Sequence, residues 1–309
     1  MIVQWFILFV LIQQAHNACV KNRIELWDPT KCEAGRTFFA KLSSVSDNNY
    51  IAQPYLYPWL TELKVTLPDQ TKSCTGALIN DRYVLVAQDC IFPSIQPDQV
   101  TVHVGFFNGY GKDVSEIFQA RTLQRKAAHF ILHPNFDPRN LQTVANNLAL
   151  IKLDEPVSYS KTIYPIQLPT IGEQFQDHTE TQADNVEWSY FSNFGSGDKK
   201  LKENVVTLLS STQCSTVDGR YSQIVTPEVI CSVDSGDGVR PCGEEHGGLL
   251  TLSKIRRMYN VTELVGITAW EPSTTTNTCQ STEPRVYVRI DKKLLWIKEN
   301  TKDGLYCKY

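Results

Sequence analysis

The sequence has no excess of basic residues and, after its first residues, no long apolar run. Its 30 Lys and Arg side chains are balanced by 33 Asp and Glu, which gives a formal net charge of −3. A protein that binds nucleic acid through phosphate contacts normally carries a basic excess or patch, so no nucleic-acid partner is expected. No later stretch reaches the roughly 18 to 20 apolar residues that span a bilayer, so no membrane partner is expected either.

Methionine is also scarce, with 2 residues, whereas cysteine is abundant, with 9. This cysteine usage indicates an oxidising compartment. Hydrophobic residues (42%) and charged residues (20%) occur in the proportions of a packed globular protein, which argues against disorder. A length of 309 residues suffices for one large domain or two small ones.

The first residues of the chain have the pattern of a secretion signal. Residues 1–18 carry no charged side chain, and an apolar run from Trp5 to Ile12 leads to small residues at Ala15 and Ala18. This pattern predicts a signal peptide and a secreted, extracellular protein. A buried N-terminal strand is the alternative. Asn260 begins the glycosylation triplet Asn-Val-Thr, which agrees with secretion.

Short segments rich in Val, Ile, Leu, Thr and aromatic residues recur along the chain, between clusters of Gly, Pro, Asn and Asp. This spacing predicts an all-β sandwich or barrel. The predicted strands include Leu63–Leu67, Tyr83–Ala87, Val100–Gly105, Leu148–Leu153, Leu264–Thr268 and Arg285–Ile290. One helix is predicted near the C-terminus, where Asp291 is expected to cap a helix that carries Leu294, Leu295 and Ile297 on one face.

Three stretches carry motifs bounded by cysteine or by proline turns. They are Cys74-Thr-Gly-Ala-Leu-Ile through Val-Ala-Gln-Asp-Cys90; then His133-Pro-Asn-Phe136, Asn146-Asn-Leu-Ala-Leu-Ile-Lys-Leu153 and Tyr164-Pro-Ile-Gln-Leu-Pro169; then Cys242-Gly-Glu-Glu-His-Gly-Gly248, Gly266-Ile-Thr-Ala-Trp270 and Pro284-Arg-Val-Tyr-Val288. In this order and at these spacings they resemble trypsin-like serine proteases of the peptidase S1 family. The matching family motifs are the histidine segment, the "NDIALIKL" strand, the nucleophile loop, and the "GI-x-SW" and "P-G-V-Y" strands.

The resemblance implies an all-β fold of two six-stranded antiparallel β-barrels with a C-terminal helix and a cleft between the barrels. It also implies three disulfides, Cys74–Cys90, Cys214–Cys231 and Cys242–Cys279. Cys19, Cys32 and Cys307 remain, and one plausible pair joins the N-terminal extension to the tail. The expected domains are a signal peptide (1–18), an N-terminal extension (19–45), the trypsin-like domain (46–300) and a C-terminal tail (301–309).

The three catalytic positions of the family hold other residue types here. Peptide cleavage by this fold needs a serine nucleophile, a histidine that takes its proton, and an aspartate that orients the histidine. The resemblance places Asp89 at the histidine, Asn147 at the aspartate and His246 at the serine. No hydroxyl therefore stands at the reacting position, and a protein without enzymatic activity is expected.

Neighbouring positions of the family site have changed as well. Glu244 replaces the glycine whose N–H forms part of the oxyanion hole. At the specificity pocket, Arg240 stands at the base and Glu271 follows Trp270 where the family has a glycine. The activation start is expected near 46–50, where neither a basic cleavage residue nor Ile-Val-Gly-Gly occurs, and Glu245 keeps a carboxylate at the position that pairs with the new amino group.

Other arrangements of these residue types give alternative interpretations. A displaced catalytic site could use His129 and Ser235, although a strand histidine and a loop serine explain them better. Asp89 and His246 could form an acid–imidazole pair across the cleft or a plain polar contact. A zinc site of Asp89, His246 and Glu245 has no supporting ligand spacing, so no metal and no cofactor are expected.

The sequence thus predicts a secreted trypsin-like homologue that lacks catalysis and acts by binding an extracellular protein, such as a protease or a protease inhibitor. Two alternatives stay open. One is a serine-type endopeptidase or another hydrolase with non-standard catalytic residues. The other is an extracellular assembly component linked through the odd cysteine.

Overall fold

The computed structural model describes residues 32–38, 55–91, 94–105, 122–170, 180–189, 200–235, 239–241, 247–256, 259–272, 278–280 and 283–307. The predicted signal peptide, Cys19 and the expected activation start at 46–50 lie outside these residues. Within them, no helix combines the length and the apolar character needed to cross a membrane.

The first half of the chain forms a closed antiparallel barrel with the strand order β1-β2-β3-β6-β5-β4. Alternate side chains of each strand point to the barrel interior, which explains why Leu63 and Val65 are fully buried. The strands are β1 (Leu60–Thr66), β2 (Thr71–Leu78), β3 (Tyr83–Val86), β4 (Val100–Val104), β5 (Leu123–Leu132) and β6 (Ala149–Leu153).

The second half forms another closed antiparallel barrel, with the order β11-β12-β14-β9-β8-β7. Trp188 and Tyr287 are among the largest side chains buried in it. Its strands are β7 (Gln182–Ser189), β8 (Lys200–Leu209), β9 (Val229–Asp234), β11 (Leu249–Arg256), β12 (Tyr259–Trp270) and β14 (Arg285–Arg289). A separate two-stranded pair consists of β10 (Val239–Pro241) and β13 (Thr278–Gln280).

Both the double barrel and the predicted strands are confirmed, because each of the six strand segments overlaps an observed strand. Helical structure is short. Three 3₁₀ turns cover Gln88–Cys90, Pro97–Gln99 and Leu141–Asn146, and three α-helices are α1 (Ser211–Ser215), α2 (Tyr221–Ile224) and α3 (Leu294–Asn300) within the described part of the chain.

The C-terminal helix α3 exists as predicted, but its predicted cap is wrong. Lys293 stands at the cap position without a capping side-chain bond, and Asp291 instead forms two hydrogen bonds with the Arg289 guanidinium, at 3.0 and 2.7 Å. The predicted apolar face is also wrong in one residue. Leu294 and Ile297 are buried, whereas Leu295 is 67% exposed, because adjacent helical residues point about 100° apart.

A disulfide joins the N-terminal segment to the tail. It links Cys32 to Cys307 across 275 residues of sequence, as the predicted pairing of extension and tail requires. Gly35 connects this segment to the second barrel, since its carbonyl accepts a 2.8 Å hydrogen bond from the Thr262 N–H. The predicted disulfides Cys74–Cys90 and Cys214–Cys231 are present, and the predicted Cys242–Cys279 bond falls outside the described side chains.

Candidate functional site

The two barrels meet where β2 approaches β7. The Trp188 backbone N–H donates a 2.9 Å hydrogen bond to the Thr75 hydroxyl, which joins the barrels at one edge of the cleft. Gly247 packs against the same strand with a φ of +87°, and a Cβ at this position would collide with the Thr75 carbonyl oxygen. Only glycine fits there, so the Gly-Gly at the end of the third motif holds the second barrel close to the first.

Asp89 and Asn147, which the resemblance assigned to the histidine and aspartate positions, lie in direct contact. The Asn147 amide Nδ2 donates to Asp89 Oδ2 over 2.9 Å, and the Asp89 backbone N–H donates to Asn147 Oδ1 over 3.0 Å. The 3₁₀ turn that contains Asp89 is anchored by the Cys74–Cys90 disulfide. Asn147 follows the third 3₁₀ turn and is 1% exposed.

A second contact fixes the Asn147 amide from the other barrel. Its Nδ2 also donates to the Ala269 carbonyl oxygen, over 2.9 Å. In the resembling family motif a serine stands where this chain has Ala269, so the residue that Asn147 contacts also differs from the motif. The Asn147 amide uses both of its N–H groups and its oxygen, which leaves it in one orientation.

The pairing of a carboxylate with an amide makes these substitutions mutually consistent. An aspartate at 147 would place a second negative charge about 3 Å from Asp89. At this distance the repulsion between two ionised carboxylates strongly raises the pKa of one of them. An asparagine supplies an N–H donor to the carboxylate instead. The site therefore holds a carboxylate oriented by an amide, with no imidazole between them.

The pocket positions contain a buried ionic cluster. The Arg285 guanidinium lies between two carboxylates: its Nη2 is 3.2 Å from Glu187 Oε1, and its Nε pairs with Glu271 Oε1. The side chains of Arg285, Glu187 and Glu271 are 2%, 3% and 4% exposed. Although burial lowers the pKa of Arg285, the charges of Glu187 and Glu271 outweigh it and hold that pKa well above the ordinary value.

Trp270 is half-buried beside the cluster and carries an aromatic partner. Its ring lies 5.1 Å from that of Tyr221 in a perpendicular arrangement, and the Arg220 guanidinium lies 5.8 Å from the centre of the Trp270 ring. The Tyr221 hydroxyl donates to the Pro284 carbonyl oxygen over 2.9 Å. These contacts fix the end of β12 against the start of β14.

A serine, a carboxylate and a histidine also meet on the outer face of the first barrel. Ser73 Oγ donates to Glu62 Oε1 over 2.7 Å, and His103 Nδ1 lies 3.2 Å from Glu62 Oε2. Although burial raises the pKa of Glu62, these two hydrogen bonds and the nearby Lys64 charge outweigh it and lower that pKa. The carboxylate occupies the middle of this cluster, where a catalytic triad requires the imidazole.

Several residues singled out in the sequence lie apart from this region or outside the described residues. His129 lies in β5 with an exposed side chain, and Ser235 Oγ is 3.1 Å from Thr207 Oγ1, so both take the structural roles expected of them. Glu244, Glu245 and His246 fall outside the described residues, as does the Arg240 side chain. The proposed roles of these positions therefore stay predictions.

The structure does not test the pairing of Asp89 with His246, because His246 lies outside the described residues. The zinc alternative is untested for the same reason, since it also needs Glu245. Among the residues that are described, no three His, Cys, Asp or Glu side chains are arranged to hold a metal ion.

The residues of the site that the sequence did not predict are Arg285 and Glu187. A signal for Arg285 was present, since it replaces the glycine of the "P-G-V-Y" motif, whereas nothing in the sequence pointed to Glu187.

Comparison with known proteins agrees with this architecture. The trypsin family model matches residues 47–297. Coagulation factor XI of Bos taurus is 26% identical over 248 residues, which make up 80% of this chain and 36% of that protein, so the chain spans about a third of the relative's length. The solved structure of HL collagenase superposes with a TM-score of 0.62 at 23% identity and covers 82% of this chain and 98% of its own. Since the family model spans most of the sequence, the chain belongs to the trypsin family.

Proposed function

We propose that this trypsin-family protein is secreted, has no peptidase activity, and works by binding another extracellular protein. The observation that carries the proposal is the contact between Asp89 and Asn147, at the positions where the family motifs have the catalytic histidine and aspartate. A carboxylate at 89 held by an amide at 147 cannot perform the proton shuttle of an imidazole held by a carboxylate.

The nucleophile and the oxyanion hole provide independent support from the sequence. His246 occupies the serine position, so acyl transfer lacks its attacking hydroxyl, and Glu244 adds a negative charge where an oxyanion would form. The expected activation start near 46–50 lacks both the basic cleavage residue and Ile-Val-Gly-Gly. Each loss alone reduces catalysis by orders of magnitude.

A binding role follows from what the chain keeps. Both barrels close, the disulfide Cys74–Cys90 is present next to Asp89, and the disulfide Cys214–Cys231 is present in the second barrel. This retained scaffold presents the loops of a protease without its reaction, which suits a protein that engages active proteases or protease inhibitors. Protein binding does not require the catalytic groups to be intact.

Secretion is supported by the leader, the cysteines and the acceptor triplet. We propose that residues 1–18 are a signal peptide, 19–45 an extension, 46–300 the trypsin-like domain and 301–309 a tail. Disulfides persist in oxidising compartments, and three are present in the described part of the chain. The Asn260 side chain is exposed, as a glycosylated asparagine requires.

The proposal is tested by incubating the mature protein with a broad peptide library and with a fluorophosphonate that labels reactive serines. We expect neither cleavage nor labelling, with active trypsin as the positive control. Cleavage that disappears in a His246→Ala variant would establish the hydrolase alternative and refute the proposal. Binding is then measured against a panel of trypsin-like proteases and their protein inhibitors, and at least one complex is expected.

The assembly alternative is separated by electrophoresis without reductant. Cys32 pairs with Cys307 within the chain, so if Cys242 and Cys279 pair as the resemblance implies, Cys19 is the candidate for an intermolecular bond. A disulfide-linked oligomer that is lost in a Cys19→Ser variant would favour assembly, whereas a monomer alone would exclude it.

A further inference from the structure

Two positions that are glycine in the family motifs carry opposite charges here. Glu271 follows Trp270, where the "GI-x-SW" strand continues into glycine, and Arg285 replaces the glycine of "P-G-V-Y". In the family the first of these glycines keeps the mouth of the specificity pocket open. Trp270 pairs with Val286 in the register of β12 and β14, so residues 271 and 285 follow on facing positions of adjacent antiparallel strands.

The two side chains turn toward each other rather than into solvent. Arg285 and Glu271 are joined through Nε and Oε1, and both are almost completely buried. Side chains at facing positions of neighbouring strands lie side by side over one face of the sheet, so two glycines at these positions leave the space over that face free. A guanidinium and a carboxylate at the same positions occupy that space.

Glu187 of β7 closes the far side of this space. Its Oε1 lies 3.2 Å from Arg285 Nη2, and the added Cβ of an alanine at Gly248 would lie 2.6 Å from Glu187 Oε2. The guanidinium thus sits between two carboxylates, one on β7 and one just after β12. Carboxylates on two sides supply the negative charge with which proteins recognise a guanidinium.

We propose that Arg285 is a built-in occupant of the primary specificity pocket, bound by Glu187 and Glu271 in the way that a protein pocket binds a basic ligand. It closes the pocket to any inserted side chain. This inference deepens the proposed function and rests on it for one consequence. The binding partner docks without inserting a side chain into the pocket. Inhibitors that fill this pocket in an active protease therefore do not use it to bind this protein.

The structure also assigns a ligand class to the space once Arg285 is removed. An Arg285→Gly variant keeps both carboxylates and loses the cation between them, which destabilises the fold because buried negative charges lose their counter-ion. A free amidinium or guanidinium compound has the charge and planar donors to replace it. Benzamidinium is the probe, and the neutral benzamide, with a similar shape, is its matched control.

The experiment follows thermal unfolding and p-aminobenzamidine fluorescence in wild type and in Arg285→Gly. We expect no benzamidinium effect on wild type, and in the variant a rise in Tm of about 3 °C or more near saturation, absent with benzamide. Arg289→Gly is the control variant. It removes an arginine from the same strand and breaks the ion pair with Asp291, but it opens no space between carboxylates.

Benzamidinium binding to wild type would overturn the inference outright, because the pocket would then be open. A folded Arg285→Gly variant that ignores benzamidinium would also overturn it. If this variant does not fold, the double variant Arg285→Gly, Glu271→Gly replaces it, because it restores both glycines of the family motifs and keeps Glu187. Binding of p-aminobenzamidine to the double variant supports the inference, and absence of binding refutes it. The proposed function fails separately, by serine-probe labelling or peptide cleavage in wild type.

Discussion

Two reciprocal hydrogen bonds join Asp89 and Asn147. The Asn147 amide donates to the Asp89 carboxylate over 2.9 Å, and the Asp89 backbone N–H donates to the Asn147 amide oxygen over 3.0 Å. The same amide reaches the second barrel through the Ala269 carbonyl oxygen. The altered residues are therefore not an eroded catalytic site with empty contacts. They form a hydrogen-bonded unit that joins the barrels, at the positions that the resemblance assigns to the catalytic histidine and aspartate.

This relationship predicts a cost for restoring the aspartate alone. In Asn147→Asp, two carboxylates would face each other and the donor to Ala269 would be lost. We expect a loss of about 2–4 kcal/mol in the free energy of unfolding at pH 8. The loss becomes smaller at pH 5, because one carboxyl of the pair takes up a proton there. Urea denaturation at both pH values measures it.

The exchanged variant Asp89→Asn, Asn147→Asp is the matched control, since it keeps one carboxylate and one amide in contact. It is expected to recover the part of the loss that comes from the two facing carboxylates, but not the part that comes from the missing donor to the Ala269 carbonyl oxygen. A single variant as stable as wild type at pH 8 would show that the amide–carboxylate contact contributes little.

A second prediction concerns the nucleophile position. His246→Ser restores the hydroxyl but leaves Asp89, Asn147 and Glu244 in place, so no imidazole can accept its proton. Loss of a triad member other than the nucleophile typically costs about 10⁴-fold or more in rate. We expect no measurable hydrolysis of amide substrates and no fluorophosphonate labelling, with trypsin assayed alongside. Readily measured amidase activity in this variant would refute the account of the site.

The sequence predicted the barrels well because strand alternation and motif spacing are local patterns. The alternation of Leu63 and Val65 with polar residues marks a barrel strand, and Cys74 and Cys90 flank a motif of fixed spacing. The motifs also assign Asp89 and Asn147 to the positions of the catalytic histidine and aspartate, and this assignment stays a prediction. Their mutual hydrogen bonds follow only once the strands β3 and β6 are paired.

The ionic cluster could not be predicted in the same way. Glu187 is on β7, Glu271 follows β12 and Arg285 begins β14, so their contact depends on the closure of the second barrel and not on any sequence spacing. The prediction that Asp291 caps α3 was wrong for a related reason. Asp291 matches a capping residue by type, but the guanidinium of Arg289, two residues earlier, binds its carboxylate first.

A third prediction concerns the stability of the fold in mild acid. Burial, together with the nearby Lys293 charge and against the opposing effect of Glu228, lowers the pKa of His133 from 6.5 to about 4. The unfolded chain therefore binds the proton more readily than the native protein between these values. The contribution of this group to stability is full above pH 6.5 and is lost as the pH drops from 6.5 to 4; because the ring is only partly desolvated and solvent screens its charge, the loss is about 1–2 kcal/mol.

The environment of His133 explains why its neutral form is preferred. Its ring lies 5.0 Å from that of Trp296, and its Nδ1 accepts a 3.4 Å hydrogen bond from the Asn135 N–H. A His133→Gln variant cannot take up a proton in this range. Urea denaturation from pH 7 to pH 4.5 is expected to show a shallower loss in the variant than in wild type, and parallel curves would contradict the assignment.

The last prediction concerns the disulfide between Cys32 and Cys307, which closes the longest loop of the three described bonds, 275 residues apart in sequence. In Cys32→Ser the tail keeps two hydrogen bonds, from the Leu305 N–H to Asp81 at 2.7 Å and from the Tyr159 hydroxyl to the Leu305 carbonyl oxygen at 3.0 Å. The fold should therefore survive with a loss of about 2–4 kcal/mol in the free energy of unfolding, as for other native disulfides. Cys19→Ser is the matched control, because Cys19 belongs to none of the disulfides in the described part of the chain. Equal unfolding midpoints for the two serine variants would mean that this covalent link between extension and tail does not stabilise the double barrel.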